Sequence, residues 1–529
     1  MRKPLLLVLL AAFICSSAWA QVKPDPVQKK FAAEITVDGA YKHLAVLTSD
    51  EFAGRGTGEI GAAKSAEYIK NEFQRLGLKG IVDGSSYYQP VPLARSTFEV
   101  SNFELNKKQF ENGKHFMVSG SGPATTVRES DFVFVGYGIT EGAYDDFAGV
   151  NVAGKVVLLI NEGEPMDAQG NSRISGSKEL SEWSTSRNKR LQAVNAKGPK
   201  MILAVSSSVA STLERFGSRM NRPRIGLEES LVAGPNQNAA TVFNITEAAA
   251  DQLLAASKNS LAGLKDAINS SGKAQSKKLK GQIRASFGAK IEPFADNNVL
   301  GYLEGTDKKD EVLVIMGHYD HDGKTADGTI FRGADDNASG TVGVLEVARA
   351  FAAAAKEGNR PRRSILFIGL CAEEKGLIGS RYYTENPILP LQNTVAALNM
   401  DMIGRIDDKH LMENHNYIHV MGADKLSSEL HEINYAANAT YTHMELDTTY
   451  NDPKDPQRLY YRSDHYNFAA KGIPSIFYFS GLHPHYHTPE DTIEKIDFEM
   501  MVKRARLVFH TAWELVNREK RIVVDSNKP

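Results

Sequence analysis

Short apolar runs alternate with amphipathic segments throughout the C-terminal half of the chain. The apolar runs, such as EVLVIM and ILFIGLC, have the length and composition of buried strands. They predict strands at Asn298–Glu304, Val312–Gly317, Ser364–Leu370, Val395–Met400, Tyr417–Met421 and Ser475–Phe479. Apolar residues at helical spacing predict helices at Ser339–Ala355, Leu377–Thr384, Leu426–Ala437, His465–Lys471 and Phe498–Glu519. Ser339 is predicted to be the N-cap of the first of these helices. This alternation predicts an α/β fold with three layers, built on a doubly wound, mostly parallel (mixed) sheet.

The pattern before residue 291 falls into two parts. Residues 22–35 are predicted to be an extended lead-in, and Val37–Leu78 is predicted to be helical on both sides of the Gly-rich loop SDEFAGRGTGE. From residue 97 the runs DFVFVGYGI, KVVLLIN and KMILAVSSS are shorter, turns are frequent, and a Lys/Ser-rich connector is predicted up to Lys280. We therefore predict that residues 21–96 and 291–529 form a catalytic domain and that 97–290 form an inserted, β-rich, non-catalytic lobe.

Length and charge narrow the class of protein. A chain of 529 residues is too long for one ordinary core, and a formal net charge of −2 argues against nucleic acid as a partner. Arg2 and Lys3 precede the apolar run Leu5–Ile14, and AWA before Gln21 resembles a cleavage site. Residues 1–20 are therefore predicted to be a signal peptide, which leaves a periplasmic or secreted protein with no membrane segment.

Acidic and histidine side chains follow several of the predicted strands. They are His318, Asp320, Asp335, Asp336, Glu373, Glu374, Asp401, His483, His485 and His487. Ligands of α/β sheets gather at the carboxyl ends of the strands, and crowded carboxylates repel each other unless a cation offsets their charge. Three carboxylates and two imidazoles match the needs of two metal ions about 3.5–4 Å apart. Mixed nitrogen and oxygen ligands suit Zn²⁺, with Mn²⁺ or Co²⁺ as substitutes.

The motifs that contain these residues resemble a known family. GHYDHDG, GADDNASG, CAEEKGLIGS, NMDMIGR, YRSDHYNF and HYHTPEDT are similar, in order and spacing, to the motifs of the family-28 metallopeptidases, the two-zinc aminopeptidases. The N-terminal SDEFAGRGTGEIGAAKSAEYI resembles the first helices of that family. The middle region, with FVGYGI and YDDFAGVNVAGKVVLL, resembles a protease-associated domain inserted into that fold.

The resemblance implies how two Zn²⁺ ions are held. The metal ligands are His318, Asp335, Glu374, Asp401 and His487. Asp335 bridges the two ions and is followed by a cis peptide bond, while the Asp320 carboxylate lies behind His318 and fixes its imidazole. Taken alone, Asp401 or Asp336 is better explained as a helix cap or a turn residue than as a metal ligand.

The resemblance also implies the catalytic groups. Glu373 is the general base that takes a proton from the attacking water and passes it to the leaving amine. Tyr460 occupies the place of a tyrosine that hydrogen-bonds the oxyanion, with Tyr461 and Tyr486 as rivals. Cys371 is predicted to be a buried small hydrophobic residue and not a nucleophile.

Other residues near these motifs have two interpretations. His321 is predicted to be a loop residue, and His465 to orient structure. His483 and His485 either line the cleft or are exposed. Two arginines, Arg332 and Arg462, either recognise a substrate carboxylate or balance surface charge.

These features together favour an exported aminopeptidase that acts on peptides. The alternatives are a carboxypeptidase, a transferase that resembles glutaminyl cyclase and uses one metal ion, and a receptor-like binding module without activity. The sequence leaves the preferred N-terminal residue and the oligomeric state open.

Overall fold

The computed structural model describes residues 23–118, 122–217, 223–233, 239–412 and 414–526. The predicted signal peptide, residues 1–20, lies outside this part of the chain. Two compact units are present: one comprises the residues up to Val91 and from Ala295 onward, and the other is Pro92–Phe294. In the described part, no helix combines the length and apolar character needed to cross a bilayer.

The first unit contains all the elements predicted in the C-terminal half. Its helices are Pro26–Ala32, Val37–Leu47, Ile60–Arg75, Gly340–Lys356, Ile378–Glu385, Ser428–Ala437, His465–Ala469 and Phe498–Asn517. Its strands are Lys308–His318, Gly323–Lys324, Ile330–Phe331, Arg363–Leu370, Thr394–Met400, Tyr417–Met421, Glu445–Asp447 and Ser475–Phe479, with the end of Lys277–Leu303.

The sheet of the first unit is mixed and mostly parallel, which confirms the predicted fold class. The strand that ends at His318 lies in the middle and pairs in parallel with Arg363–Leu370 and Thr394–Met400. The latter pairs in parallel with Ser475–Phe479. Antiparallel pairing occurs on both sides, where Leu300 faces Ile368 and Val420 faces Tyr478. The central strands are buried on both faces, which explains their continuous apolar runs.

Helices cover both faces of this sheet. On one face the Phe367 ring lies near Phe73 and Phe351, which belong to helices Ile60–Arg75 and Gly340–Lys356. On the other face the neighbouring strand residues pack with Tyr383 and Phe468, which belong to helices Ile378–Glu385 and His465–Ala469. Successive strand residues point to opposite faces, so the one sheet has a core on each side.

Two local predictions were wrong. The predicted extended lead-in contains helix Pro26–Ala32, because the Asp25 side chain accepts a hydrogen bond from the Val27 N–H and Pro26 fits the first helical turn. Ser339 does not cap the helix that follows it. Its hydroxyl donates to Asp335 instead, and the Asn337 side-chain oxygen accepts from the Gly340 N–H at 2.9 Å.

The second unit has its own core. Its strands are Lys108–Gln109, Phe116–Met117, Thr125–Phe134, Thr140–Glu141, Tyr144–Asp145, Val156–Ile160, Met201–Val205, Arg224–Leu227 and Thr241–Ile245, with parts of Tyr88–Leu105 and Lys277–Leu303. Its helices are Glu182–Thr185, Arg187–Asn195, Ser208–Phe216, Glu228–Ala233, Glu247–Leu254 and Leu261–Ser271. The predicted connector up to Lys280 is too long, because the strand already begins at Lys277. The aromatic side chains of Phe103, Phe116 and Phe243 are part of this core, which packs the strands and helices of the unit together.

Candidate metal centre

Parallel strands bring acidic and imidazole side chains to one edge of the first unit's sheet. His318 is the last residue of its strand, and Asp401 directly follows the neighbouring strand. Glu373 and Glu374 follow a third strand after Cys371 and Ala372. Because the carboxyl ends of parallel strands meet at one edge, residues far apart in sequence become neighbours here.

One group of side chains surrounds the His318 ring and is called the His318 cluster. The His318 Nε2 atom lies 3.4 Å from Asp401 Oδ1, 3.6 Å from Asp336 Oδ1 and 3.8 Å from Glu373 Oε2. The Asp401 carboxylate is held by its other oxygen, Oδ2, which accepts a hydrogen bond from the Ser463 hydroxyl at 2.6 Å. Asp401 therefore presents Oδ1 to the imidazole.

A second group lies around His487 and is called the His487 cluster. The His487 Nε2 atom lies 3.0 Å from Asp336 Oδ2 and 3.3 Å from Glu374 Oε2. The other oxygen of Glu374, Oε1, lies 2.7 Å from His321 Nδ1. His321 is fully buried, so its prediction as a loop residue missed the contact that positions Glu374.

Asp336 joins the two clusters. Its Oδ1 faces His318 and its Oδ2 faces His487, so one carboxylate is shared between two groups of ligand atoms. Such sharing is the arrangement that a bridging carboxylate adopts between two metal ions. A cis peptide bond joins Asp336 to Asn337.

Asp335, the residue predicted to bridge, lies in a different network. Its Oδ1 accepts hydrogen bonds from the Gly404 N–H at 2.7 Å and the Ser339 hydroxyl at 3.0 Å. Its Oδ2 lies 3.4 Å from His483 Nε2, and the side chain is fully buried. The structure therefore does not bring Asp335 to the clusters.

The backbone of the turn Ala334–Ser339 explains why neighbouring acids separate. Asp336 and Asn337 have non-helical dihedral angles, so the side chains of Asp335 and Asp336 point in different directions. The buried Asp491 carboxylate accepts hydrogen bonds from the backbone N–H groups of both Asp335 and Asp336, at 3.0 and 3.1 Å. Asp491 belongs to the HYHTPEDT motif, and sequence reasoning gave it no role.

The Asp320 side chain supports the site differently from the prediction. Its carboxylate lies 3.8 Å from His318 Nδ1, and the backbone carbonyl of Asp320 faces that nitrogen at 3.1 Å instead. The carboxylate accepts hydrogen bonds from the Glu373 N–H at 3.0 Å and from the Thr57 hydroxyl at 2.8 Å. Asp320 therefore fixes the backbone that carries Glu373, and its own carbonyl orients the imidazole.

Arg55, from the Gly-rich N-terminal loop, holds two site segments together. Its buried guanidinium donates hydrogen bonds to the backbone carbonyls of Tyr319 at 2.8 Å and of Gly333 at 2.7 Å. One segment leads to His321 and the other to Asp336. Burial lowers the pKa of Arg55 to about 10, so the group remains charged at neutral pH.

Several buried ligand atoms have no hydrogen-bond partner among the described residues. They are the Nε2 atoms of His318, His321 and His487, together with Asp401 Oδ1. Buried polar atoms without partners are rare and costly. The Nε2 atoms of His318 and His487 face the Asp336 carboxylate, and Asp401 Oδ1 faces His318. A set of unpaired nitrogen and oxygen atoms that converge in this way fits divalent metal ions.

The electrostatics of the site agree with this interpretation. Burial raises the pKa of Glu374 to about 7 and holds the pKa of Glu373 well above its usual range. Burial would lower the pKa of His487, but Asp322 and Asp336 raise it to about 10. The side chains therefore gather more negative charge than they neutralise among themselves, which cations offset.

A cavity opens beside the two clusters. Its walls combine the carboxylates with apolar side chains and two polar residues: Asp336, Glu373, Asp401, Met402, Leu459, Arg462, Phe477, Phe479, Leu482 and Tyr486. The Tyr486 hydroxyl accepts a hydrogen bond from Arg462 Nη2 at 3.2 Å. Tyr460 instead packs edge-on against His465, with Lys425 Nζ 4.6 Å from its ring centre. The geometry therefore favours Tyr486, one of the predicted rivals, as the tyrosine at the site.

The structure distinguishes the surroundings of the remaining residues that the sequence singled out. His465 stacks on Phe477 and is fully buried, in keeping with a role in orienting structure. His483 is buried beside Asp335, whereas His485 is more exposed and lies 2.9 Å from Lys495 Nζ. Arg332 pairs with Asp50 at 2.6 Å, away from the cavity that Arg462 lines. Cys371 is fully buried, as predicted.

Comparisons with known proteins agree with the geometry. Residues 298–512 match the model of peptidase family M28. A probable leucine aminopeptidase of Arthroderma otae is 30% identical over 243 residues, which are 44% of this chain and 62% of that protein. Aminopeptidase YwaD of Bacillus subtilis is 28% identical over 232 residues, which are 42% of this chain and 46% of that protein. The chain thus spans less than two thirds of each relative.

A solved structure extends the similarity of fold to nearly the whole chain. The aminopeptidase from Aneurinibacillus sp. strain AM-1 superposes with a TM-score of 0.52 at 19% identity, covering 95% of this chain and all of that one. At this identity the match concerns the fold alone. The family match includes His318, Asp336, Glu373, Glu374, Asp401 and His487. The similarity to peptidase family M28 therefore covers residues 298–512, the region that contains both clusters.

Proposed function

We propose that the protein is an aminopeptidase that holds two Zn²⁺ ions and hydrolyses N-terminal residues from peptides. The observation that carries the proposal is the Asp336 carboxylate, whose two oxygens face His318 and His487 separately. His318 and Asp401 would hold one ion, Glu374 and His487 would hold the other, and the Asp336 carboxylate would be shared between them. Asp336 thus takes the role that the sequence assigned to Asp335.

The metal ions and the side chains have different roles in the proposed reaction. When bound, the ions polarise the scissile carbonyl and lower the pKa of the attacking water. Glu373 accepts the proton of that water on its carboxylate and delivers it to the leaving amine. Its backbone is fixed by Asp320, and it lines the cavity beside the His318 cluster.

Tyr486 is proposed to stabilise the oxyanion of the tetrahedral intermediate. Arg462 donates to its oxygen, so the hydroxyl proton of Tyr486 remains free for the substrate. We expect Tyr486→Phe to lower kcat by about 10²–10³-fold with little change in KM, which is the usual effect of losing one oxyanion donor. Tyr460→Phe is the matched control and should stay close to wild type. A larger loss in the Tyr460 variant would return the role to Tyr460.

The cavity favours an apolar N-terminal residue in the substrate. Met402, Leu459, Phe477, Phe479 and Leu482 form one apolar wall beside the carboxylates. Apolar walls of this kind bind side chains such as leucine by removing them from water. The free α-amino group of the substrate would lie near the acids of the His487 cluster.

Aminoacyl reporter substrates test the whole proposal. We expect hydrolysis of leucyl and methionyl reporters, loss of hydrolysis when their amino group is acetylated, and loss on treatment with a chelator that Zn²⁺ reverses. Lysyl and glutamyl reporters are the matched comparison for the apolar wall. Cleavage that ignores acetylation would exclude aminopeptidase action.

Arg462 gives the carboxypeptidase alternative one specific observation. Its guanidinium lines the same cavity and could bind a substrate carboxylate. Peptides with a free or an amidated C-terminus separate the two functions, because only a carboxypeptidase needs the free carboxylate. Metal analysis separates the others, if the ions of this centre are counted as those lost when its ligands are substituted. Two such ions support the proposal, one supports a cyclase-like enzyme, and none supports a binding module.

Export of the mature protein is also proposed, from residues 1–20. Expression of the full chain with its own N-terminus should give a product that begins at Gln21 in the periplasm or medium. N-terminal sequencing of that product tests this, and retention of Met1 in a cytosolic product would contradict it.

A further inference from the structure

A second group of histidines and aspartates lies outside the metal centre. It consists of Asp407, His410, His419 and Asp447, all in the first unit. Asp407, His410 and His419 are buried, and the Asp447 side chain is 14% exposed. Nothing in the proposed peptide hydrolysis uses these residues.

Asp407 fixes the orientation of both imidazoles. Its Oδ1 lies 2.7 Å from His410 Nδ1, and its Oδ2 lies 2.7 Å from His419 Nε2. An ionised carboxylate only accepts hydrogen bonds, so both of these ring nitrogens carry protons. The opposite nitrogens, His410 Nε2 and His419 Nδ1, are therefore the ones with free lone pairs when the rings are neutral.

Both lone pairs face a second carboxylate. Asp447 Oδ2 lies 3.2 Å from His419 Nδ1 and 3.9 Å from His410 Nε2. His419 Nδ1 is buried and has no hydrogen-bond partner among the described residues. Lone pairs that face a carboxylate repel it, so either a proton on the ring or a metal cation between the two groups stabilises the arrangement.

We propose that His410 Nε2, His419 Nδ1 and Asp447 Oδ2 bind a further divalent transition-metal ion, with Zn²⁺ as the best match. Ligand atoms at Zn²⁺ distances of 2.0–2.1 Å in a tetrahedron lie about 3.3 Å apart, and the observed 3.2 and 3.9 Å need little closure. A carboxylate that accepts from the far nitrogen of each ligating histidine is the usual support of such a site, and Asp407 supplies it to both.

The surroundings give this ion a structural role. The Asp407 N–H donates to the Tyr417 hydroxyl at 2.7 Å, and that hydroxyl donates to the Ser480 carbonyl. Tyr417 also stacks on His410 with ring centres 3.5 Å apart. Asp407 follows Asp401 by six residues, so the ion ties the segment after one metal ligand to the strand Tyr417–Met421.

Two substitutions remove the ligand atoms and keep the hydrogen bonds to Asp407. In His419→Gln the amide nitrogen can replace Nε2–H while the Nδ1 ligand is lost. In His410→Asn the amide nitrogen can replace Nδ1–H while the Nε2 ligand is lost. His415→Gln, at an exposed histidine of the same segment, is the matched control. Circular dichroism and thermal unfolding establish that each variant is folded.

Metal content decides the proposal without reference to activity. Holoenzyme and variants are dialysed against a small excess of Zn²⁺ and measured by mass spectrometry. We expect His419→Gln and His410→Asn each to hold one ion fewer than wild type and His415→Gln. Equal metal content in all four proteins would overturn the proposal. Protonated histidines, and not a metal ion, would then balance the charge of the two aspartates.

The result is independent of the peptidase centre. The comparison measures a difference of one ion between folded proteins, whatever the number held by Asp336 and its neighbours. Asp447→Asn supplies a third variant, because it keeps the size of the side chain and removes the ligand charge. An unchanged ion count in this variant as well would leave no ligand set for the proposed ion.

Discussion

Glu373→Gln should lower kcat by about 10²–10⁴-fold, the usual contribution of a general base, while metal content and folding stay at wild-type values. Glutamine has the same shape but cannot accept and return the proton of the attacking water at neutral pH. The backbone hydrogen bond from Glu373 N–H to Asp320 is untouched, so the position of the residue is kept. Steady-state kinetics with a leucyl reporter and metal analysis on the same samples check both parts.

The neighbouring glutamate provides the matched control. Glu374→Gln removes a proposed ligand that lies 3.3 Å from His487 Nε2, so it should lose metal together with activity. The two adjacent substitutions thus separate loss of proton transfer from loss of an ion. Near-normal turnover of Glu373→Gln would remove Glu373 as the base, and loss of metal from it would make Glu373 a ligand.

The fold and the positions of most candidate ligands could be predicted because they depend on local patterns. Continuous apolar runs identify strands that are buried on both faces, and such strands lie inside parallel sheets. The residue at the carboxyl end of each strand then lies at one edge, which is why His318 and Asp401 were predicted correctly to be neighbours of other site residues.

The choice between Asp335 and Asp336 could not be made from the pattern. Adjacent residues point in different directions, so an error of one position exchanges a cavity-facing side chain for a buried one. The deciding interactions come from distant segments: Gly404 and His483 hold Asp335, while Asp491 holds the backbone. Asp491 could have been suspected, because it is an acid in a motif already rich in ligands.

Residues that hold the site in place from distant parts of the sequence were missed for the same reason. Arg55 was part of a Gly-rich loop that a plain connection also explains, and its carbonyl acceptors at Tyr319 and Gly333 lie more than 260 residues away. His321 had no sequence signal beyond its place in GHYDHDG, and its burial against Glu374 depends on packing. Side chains that act through other site residues are set by tertiary structure, which local periodicity does not encode.

Asp336→Asn should have the largest effect on metal binding. The two oxygens of Asp336 face the two clusters separately, so its neutralisation weakens the binding of two ions at once. We expect metal affinity to fall by more than the roughly 10–100-fold that follows loss of a supporting residue behind a ligand, and activity to fall with it. Titration of the metal-free protein with Zn²⁺, followed by calorimetry and by hydrolysis of a leucyl reporter, measures both.

Asp335→Asn is the control that tests the position of the bridge. Asparagine keeps an oxygen that accepts from Gly404 and Ser339, and Asp335 contacts neither His318 nor His487 in the site described above. This variant should retain both ions and lose thermal stability, because a buried charge beside His483 is removed. If Asp335→Asn lost the ions while Asp336→Asn kept them, the bridge would lie at Asp335 and the two-cluster geometry would be wrong. Comparison of the metal-free forms by thermal unfolding distinguishes a damaged fold from a lost ligand, since only a damaged fold lowers the Tm without metal.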